Sequence, residues 1–324
     1  MNCKSPVLLI VFNRPESTER VFEEIRKARP PKLFVAADGP RANRPDEPGI
    51  CGRVRAIVSD VDWPCELVTL FRDQNMGCKR AVSGAISWFF EHVEQGIILE
   101  DDCVPIETFF PYCDELLDRY ALDVSIAQIS GSTFVPHAAK EDSFYFTKYA
   151  DIWGWATWRR AWQHADMAMK DWPEWRDKQG LEKLCGSTPA FVEYWRKIFD
   201  STHAGAVDTW DYQWMFTCWK LGLKTIKPAK MQIYNVGFDS NATHTLSDIP
   251  DYVVDPVALT FPLRHPPAAE FHRTTEMSIA KIRYHIDWLT ETAFLVSQIP
   301  LVGHQLTKFA KIIMRPQRSE QQLP

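Results

Sequence analysis

The chain has 324 residues, 45% of them hydrophobic, and Lys+Arg 37 against Asp+Glu 42 leave a net charge of -5. That length can bury one large domain or two smaller ones, and the apolar share excludes wholesale disorder. The acidic balance argues against a nucleic-acid partner, and no apolar run reaches the roughly 18 residues that a membrane-spanning helix needs.

Residues 1–6 run straight into a strand-like segment, without the charged lead, long apolar core and small-residue cleavage site of a secretion signal. The 8 cysteines are scattered, with no C-x-x-C pair and no zinc-like spacing. Both features predict reduced thiols in a cytoplasmic protein.

In chain order, residues 7–12 (Val-Leu-Leu-Ile-Val-Phe) form an unbroken apolar run, the pattern of a strand buried on both faces. Asn13-Arg14-Pro15 follows, and Ser17 or Thr18 is the expected cap of a helix through about Arg29. Residues 32–37 make a second strand that ends at Asp38-Gly39. A polar loop, a helix over 51–61 and a third strand over 66–71 come next. Lys79 and Arg80 open a further helix whose apolar positions are Val82, Ile86, Phe89, Phe90 and Val93. A short strand then drives into Glu100-Asp101-Asp102, with Pro105 close behind. Strand-helix alternation of this kind predicts an α/β fold with a doubly wound, mostly parallel sheet.

Beyond Pro105 the pattern predicts a helix over 109–120, strands over 125–129 and 144–146, and an aromatic block at 153–158 that runs into a helix. Residues 166–187 read as irregular. Helices are expected over 190–199 and from about 207 to 221, and an edge strand over 224–228. Residues 236–244 form a loop rich in Asn, Ser and Thr. From Met277 to Met314 the pattern gives two helices broken at Pro300, carrying Lys308, Lys311 and Arg315. Those basic residues allow a peripheral contact with a membrane face, although a helical pair covering core is the commoner case.

The chemistry concentrates where strands end. In doubly wound sheets ligands bind beyond the carboxyl ends of the strands, and Asn13, Arg14, Asp38 and the Glu100-Asp101-Asp102 triplet all lie there. Three adjacent carboxylates at the end of a buried strand repel one another and lose hydration. A hard cation, Mn2+ or Mg2+, relieves both, takes oxygen ligands and leaves positions for substrate phosphates. Asp102, nearest the turn, is the expected ligand, with Glu100 and Asp101 on ribose or sugar hydroxyls. Lys79 and Arg80 sit at a helix start, where a diphosphate would meet the positive end of the dipole; a solvated helix start explains them equally well. Asp211, between Trp210 and Tyr212, is the expected general base, since desolvation raises a carboxyl toward a useful range; Asp208 is its competitor. His244 is a candidate metal or phosphate ligand. Trp153, Trp155 and Trp210 are candidates for stacking on an acceptor sugar, against the plainer reading as core. Neither G-x-S-x-G nor a P-loop occurs.

Taken together, Asn13-Arg14-Pro15, Asp38-Gly39, the helix after Gly77, Glu100-Asp101-Asp102 and Trp210-Asp211-Tyr212-Gln213-Trp214 resemble the nucleotide-sugar glycosyltransferases of the GT-A fold. Among these the resemblance is to the N-acetylglucosaminyltransferase I family, over roughly residues 7–244. It implies that Asp102 binds Mn2+, that Asp101 and Glu100 contact ribose and donor sugar, and that Arg14 and Asp38 hold the nucleoside. It also implies that His244 lies toward the donor phosphates. That family's base lies in a Trp-Asp-Asp-Trp segment, which here is one residue longer and places the base on Asp211. The implied organisation is a GT-A-like domain over 1–245, with a nucleotide-binding part to 105 and an acceptor-side part to 245. A mostly helical extension over 246–324 follows. The implied reaction moves a sugar, with inversion, from a UDP-sugar such as UDP-GlcNAc to a glycan or glycolipid hydroxyl. A retaining transferase, a sugar nucleotidyltransferase and a non-catalytic carbohydrate-binding protein are the rival expectations. The nucleotidyltransferase needs a glycine-rich loop where Asn13-Arg14-Pro15 stands.

Overall fold

In the computed structural model, which describes residues 2–237 and 253–297, the first half alternates strand and helix. It gives β1 (Val7–Val11), α1 (Pro15–Ala28), β2 (Lys32–Ala37), α2 (Glu47–Ser59), β3 (Glu66–Phe71), α3 (Cys78–His92) and β4 (Gln95–Glu100). After these come β5 (Cys103–Pro105), α4 (Phe109–Arg119), β6 (Ile126–Ser130), β7 (Phe144–Thr147), β8 (Trp155–Trp158) and α5 (Arg159–Trp162). The chain continues through α6 (Trp172–Asp177), α7 (Pro189–His203), α8 (Asp211–Lys220), β9 (Lys224–Pro228), β10 (Ile233–Asn235), α9 (Arg273–Tyr284) and α10 (Trp288–Ser297).

Eight strands form one sheet in the order β3-β2-β1-β4-β8-β6-β9-β7. The β3-β2-β1-β4 half is wholly parallel, and β6 with β9 adds a fourth parallel pairing. Three antiparallel pairings, β4 with β8, β8 with β6 and β9 with β7, complete it. The fold is α/β, with the doubly wound, Rossmann-like half that the alternation predicts. Strand alternation shows why both faces are covered: Leu8 and Ile10 face one core, while Val7, Leu9 and Val11 face the other. β4 repeats the rule, with Ile98 in the first core and Ile97 and Leu99 in the second. α3 supplies Val82, Ala85, Ile86 and Phe89 to the first core; α1, α2 and α4 cover the second.

Three expectations change. The N-cap of α1 is Arg14 with Pro15 beginning the helix, and Ser17 and Thr18 instead turn their hydroxyls back to the Arg14 carbonyl. Proline fits a first turn because it has no N–H to leave unpaired. The stretch read as irregular contains α6, whose Trp172 is fully buried. The aromatic block is strand β8, inserted antiparallel between β4 and β6. The helix break at Pro300 lies outside the described residues.

The segment after residue 253 shares the core of the preceding chain. Ile279 and Ala280 of α9 pack with the tryptophans of α7 and α8. Glu276 is wholly buried and pairs with the equally buried Lys148 at 3.2 Å.

Candidate functional site

Arg14 stands just past the end of β1, its carbonyl fixed by the amide and hydroxyl of Thr18 at 3.0 and 2.6 Å. Its guanidinium reaches across to the neighbouring strand end. One nitrogen, Nη1, donates to Asp101 Oδ1 at 3.2 Å and to Asp102 Oδ2 at 2.8 Å. The remaining carboxylate oxygens also have partners: Asp101 Oδ2 accepts from the Phe12 amide at 3.1 Å, and Asp102 Oδ1 from the Cys103 thiol at 3.4 Å.

The acids carry the electrostatic signature of crowding. Burial first, and then the charges of Asp102 and Asp101, push the Glu100 carboxyl well above its ordinary range. Burial raises Asp101 to about 6, against the pull of Arg14. Burial works against the Arg14 charge, yet Asp101, Asp102 and Glu100 outweigh it and hold the guanidinium above the usual arginine value. Backbone also comes close to the acids. A Cβ at Gly237 would lie 2.5 Å from Asp102 Oδ2, so a side chain there would push that carboxylate aside.

Asp38, past the end of β2, is buried and turned to backbone. It accepts from the Gly39 amide at 3.0 Å, the Met76 amide at 3.0 Å and Asn75 Nδ2 at 2.9 Å, and so shapes the loop that leads into α3. Burial lifts its carboxyl, and these donors oppose the lift. Asn13 donates to the buried Glu47 at 3.3 Å, and Glu47 in turn holds the Arg41 amide at 2.8 Å.

The start of α3 meets an acid from a distant segment. Gly77 has φ +77°, and a Cβ there would lie 3.0 Å from Asp208 Oδ2. Asp208 Oδ1 accepts from the Lys79 amide at 3.3 Å, so a carboxylate sits where the helix end favours an anion. Arg80 is exposed and lines a groove of about 560 Å³ along α3, together with Met76, Phe90, Arg159 and Trp162. Three residues beyond Asp208, Asp211 begins α8 and accepts a hydrogen bond from the buried Thr209 hydroxyl. Burial raises its carboxyl to about 6. Its charge acts on Glu100, and both act on the half-buried thiol of Cys78. The structure thus gathers Arg14, Glu100, Asp101, Asp102, Cys78, Asp208 and Asp211 around one end of the sheet.

No protein-family model matches the sequence. No curated protein matches it either. Among solved structures, an apo UDP-glucose pyrophosphorylase aligns at 9% identity and TM-score 0.36, over 72% of this chain and 93% of the other. Mouse xyloside xylosyltransferase 1 aligns at 11% identity and TM-score 0.36, over 68% and 83%. HddC from Yersinia pseudotuberculosis aligns at 10% identity and TM-score 0.27, over 44% of this chain and 59% of HddC. Two of these proteins are, by name, nucleotide-sugar or sugar-transfer enzymes, but at such TM-scores the likenesses add nothing to the site's own geometry.

The tryptophans divide. Trp155 and Trp210 are 0% and 1% exposed and stack on each other with centroids 5.8 Å apart, so their faces are given to the core and not to an acceptor. Trp153 is partly exposed, edge-on to Phe134 at 5.5 Å, with the Arg283 guanidinium 5.9 Å from its ring. The close approach that Gly154 permits is to Ile233 and Leu99, which a Cβ would meet at 2.4 and 3.2 Å. His244 lies outside the described residues. The sequence did not single out Cys78, Gly237 or Arg283 because each acts through neighbours far away in the chain, and the bond from Thr209 to Asp211 depends on the turn before α8. Gly237 falls in the polar loop noted after residue 236, and Thr209 flanks the Trp-Asp segment; those were the available signals.

Among the described residues no three or more His, Cys, Asp and Glu side chains converge as a ready metal cage. The donor chemistry still fits a hard divalent ion. Every candidate ligand among the described residues is a carboxylate oxygen, and the burial and crowding that raise Glu100 and Asp101 are what a second positive charge would relieve. Asp102 Oδ2 is the oxygen with which such an ion would engage.

Proposed function

We propose that the chain is a metal-dependent glycosyltransferase that uses a nucleotide-diphosphate sugar as donor and a glycan or glycolipid hydroxyl as acceptor. One observation carries this reading. At the end of a buried parallel strand an acid triplet lies within electrostatic reach of a second, separately raised carboxyl, Asp211. The triplet provides a cation side and Asp211 a base side, which is the division that glycosyl transfer needs.

In the proposed reaction Asp102 would hold the divalent cation, Asp101 would hold donor hydroxyls, and Arg14 takes part in anchoring the diphosphate. The cation, when bound, neutralises charge on the leaving group. Asp211, deprotonated above pH of about 6, accepts the proton of the acceptor hydroxyl. That oxygen forms its bond to the anomeric carbon as the bond to the diphosphate oxygen breaks and its electron pair leaves with the nucleotide. Thr209 donates to Asp211 and fixes the orientation of the carboxyl. With base and leaving group on opposite faces the product is inverted. The groove along α3, lined by Met76 and Arg80, is the proposed path for the acceptor.

Incubation with a panel of nucleotide sugars, read by mass spectrometry, tests the proposal. Release of a nucleoside diphosphate from one donor is expected. Release of pyrophosphate from a nucleoside triphosphate and a sugar phosphate would instead assign a nucleotidyltransferase. No turnover with any donor, beside saturable glycan binding, would assign a carbohydrate-binding protein.

A further inference from the structure

We propose that Arg14 is an internal stand-in for the cation, so that metal and nucleotide diphosphate bind this site only with each other's help. The inference rests on the metal-dependent reading above and concerns how that same site is regulated.

The argument comes from which oxygen is bonded to what. Each of the two aspartates has one oxygen fixed by its local surroundings, Asp101 Oδ2 by the Phe12 amide and Asp102 Oδ1 by the Cys103 thiol. The other oxygen of each, Asp101 Oδ1 and Asp102 Oδ2, goes to the same nitrogen of Arg14. The guanidinium therefore engages, on each aspartate, the oxygen that the Phe12 amide or the Cys103 thiol does not hold. Gly237 also crowds Asp102 Oδ2, which a Cβ there would meet at 2.5 Å. A divalent ion that approaches Asp102 Oδ2 meets a fixed positive charge already 2.8 Å from its ligand. In a site this sheltered like charges repel strongly, so the ion binds well only after Arg14 has moved.

A nucleotide diphosphate provides the exchange. Its phosphate oxygens accept planar guanidinium donors as well as carboxylates do. Once Arg14 turns to the diphosphate, Asp102 Oδ2 is freed and would be able to hold a divalent ion beside it. Such coupling is reciprocal: the nucleotide strengthens cation binding by the factor by which the cation strengthens nucleotide binding. Arg14 is thus a residue that positions and gates, setting the order in which the donor complex assembles.

The test measures Mn2+ binding by the loss of the free-ion electron paramagnetic resonance signal, with protein-free controls for chelation by nucleotide. Wild-type chain, R14M and R14K are each titrated alone and with saturating UDP or GDP. Wild type is expected to bind Mn2+ weakly alone and on the order of 5–150-fold more tightly with the matching nucleotide. R14M should bind Mn2+ alone roughly 10-fold more tightly than wild type, with the nucleotide effect much reduced. R14K keeps the positive charge and should behave like wild type. If R14M fails to fold, as judged by its circular dichroism, R14Q retains a hydrogen-bond donor without charge and takes its place. If the uncharged variants bind Mn2+ alone no better than wild type while nucleotide still strengthens binding in all three, Arg14 is not the gate and the metal reading survives. Absence of Mn2+ binding in every sample, with or without nucleotide, would overturn both.

Discussion

Asp211 stands at the residue scale as a group whose burial and use pull in opposite directions. Burial raises its carboxyl from 3.8 to about 6, with the Thr209 hydroxyl opposing the rise. As a base it must be ionised, so activity should fall on the acid side with a midpoint near 6, visible in a pH profile of kcat/KM. Thr209→Val removes a hydrogen bond that favours the ionised form and should move that limb to higher pH. Asp211→Asn should lower kcat by about 10²–10⁴-fold while donor affinity stays within a small factor of wild type. The stability effect has the opposite sign. A carboxyl raised in the folded state binds its proton more tightly there, so its stabilising contribution is complete below about pH 4 and lost as pH rises through 6. The melting temperature of Asp211→Asn should therefore exceed wild type by more at pH 8 than at pH 4. A variant that keeps turnover would transfer the base role to Asp208. The flanking aromatics announced the raised carboxyl in the sequence; the Thr209 bond could not be read there, because it depends on the turn geometry before α8.

At the level of elements, β1, β2 and β4 of the parallel half were legible because apolar residues fill them on both faces, as in 7–11 and 32–37. The insertion of β8 was not legible, since Trp155–Trp158 reads as aromatic bulk until its antiparallel partners on β4 and β6 are known. The same holds for the junction of the C-terminal helix with the core. Lys148 and Glu276 are 128 positions apart and meet as a buried pair at 3.2 Å. Glu276→Ala should cost about 3–5 kcal/mol in chemical denaturation, because Lys148 is left buried and uncompensated. Replacing both by apolar residues should recover most of that loss. A second element-scale prediction concerns the chain beside the acids. Gly237→Ala places a methyl 2.5 Å from Asp102 Oδ2. It should weaken Mn2+-dependent nucleotide binding, read by calorimetry, and leave the denaturation midpoint close to wild type.

For the molecule as a whole, the order of strands explains why residues so far apart in sequence share one site. β1, β2 and β4 run parallel and end on the same edge, so the residues that follow each of them converge there. Arg14 and the acid triplet were legible from that rule alone. Asp38 obeys the rule in position, yet its carboxylate is spent on the loop before α3, a detail set by three backbone and side-chain donors. Among the described residues no helix is long and apolar enough to cross a membrane. The central claim is that the end of β4 holds a cation that holds a nucleotide diphosphate. Calorimetric titration of UDP, GDP, CDP and dTDP, each with and without Mn2+, tests it most directly. At least one nucleotide should bind ten-fold or more tightly with Mn2+, on the order of typical coupling between two ligands of one site, and Asp102→Asn should abolish the gain. Equal affinities with and without Mn2+ for all four, or a gain that survives Asp102→Asn, would contradict the account.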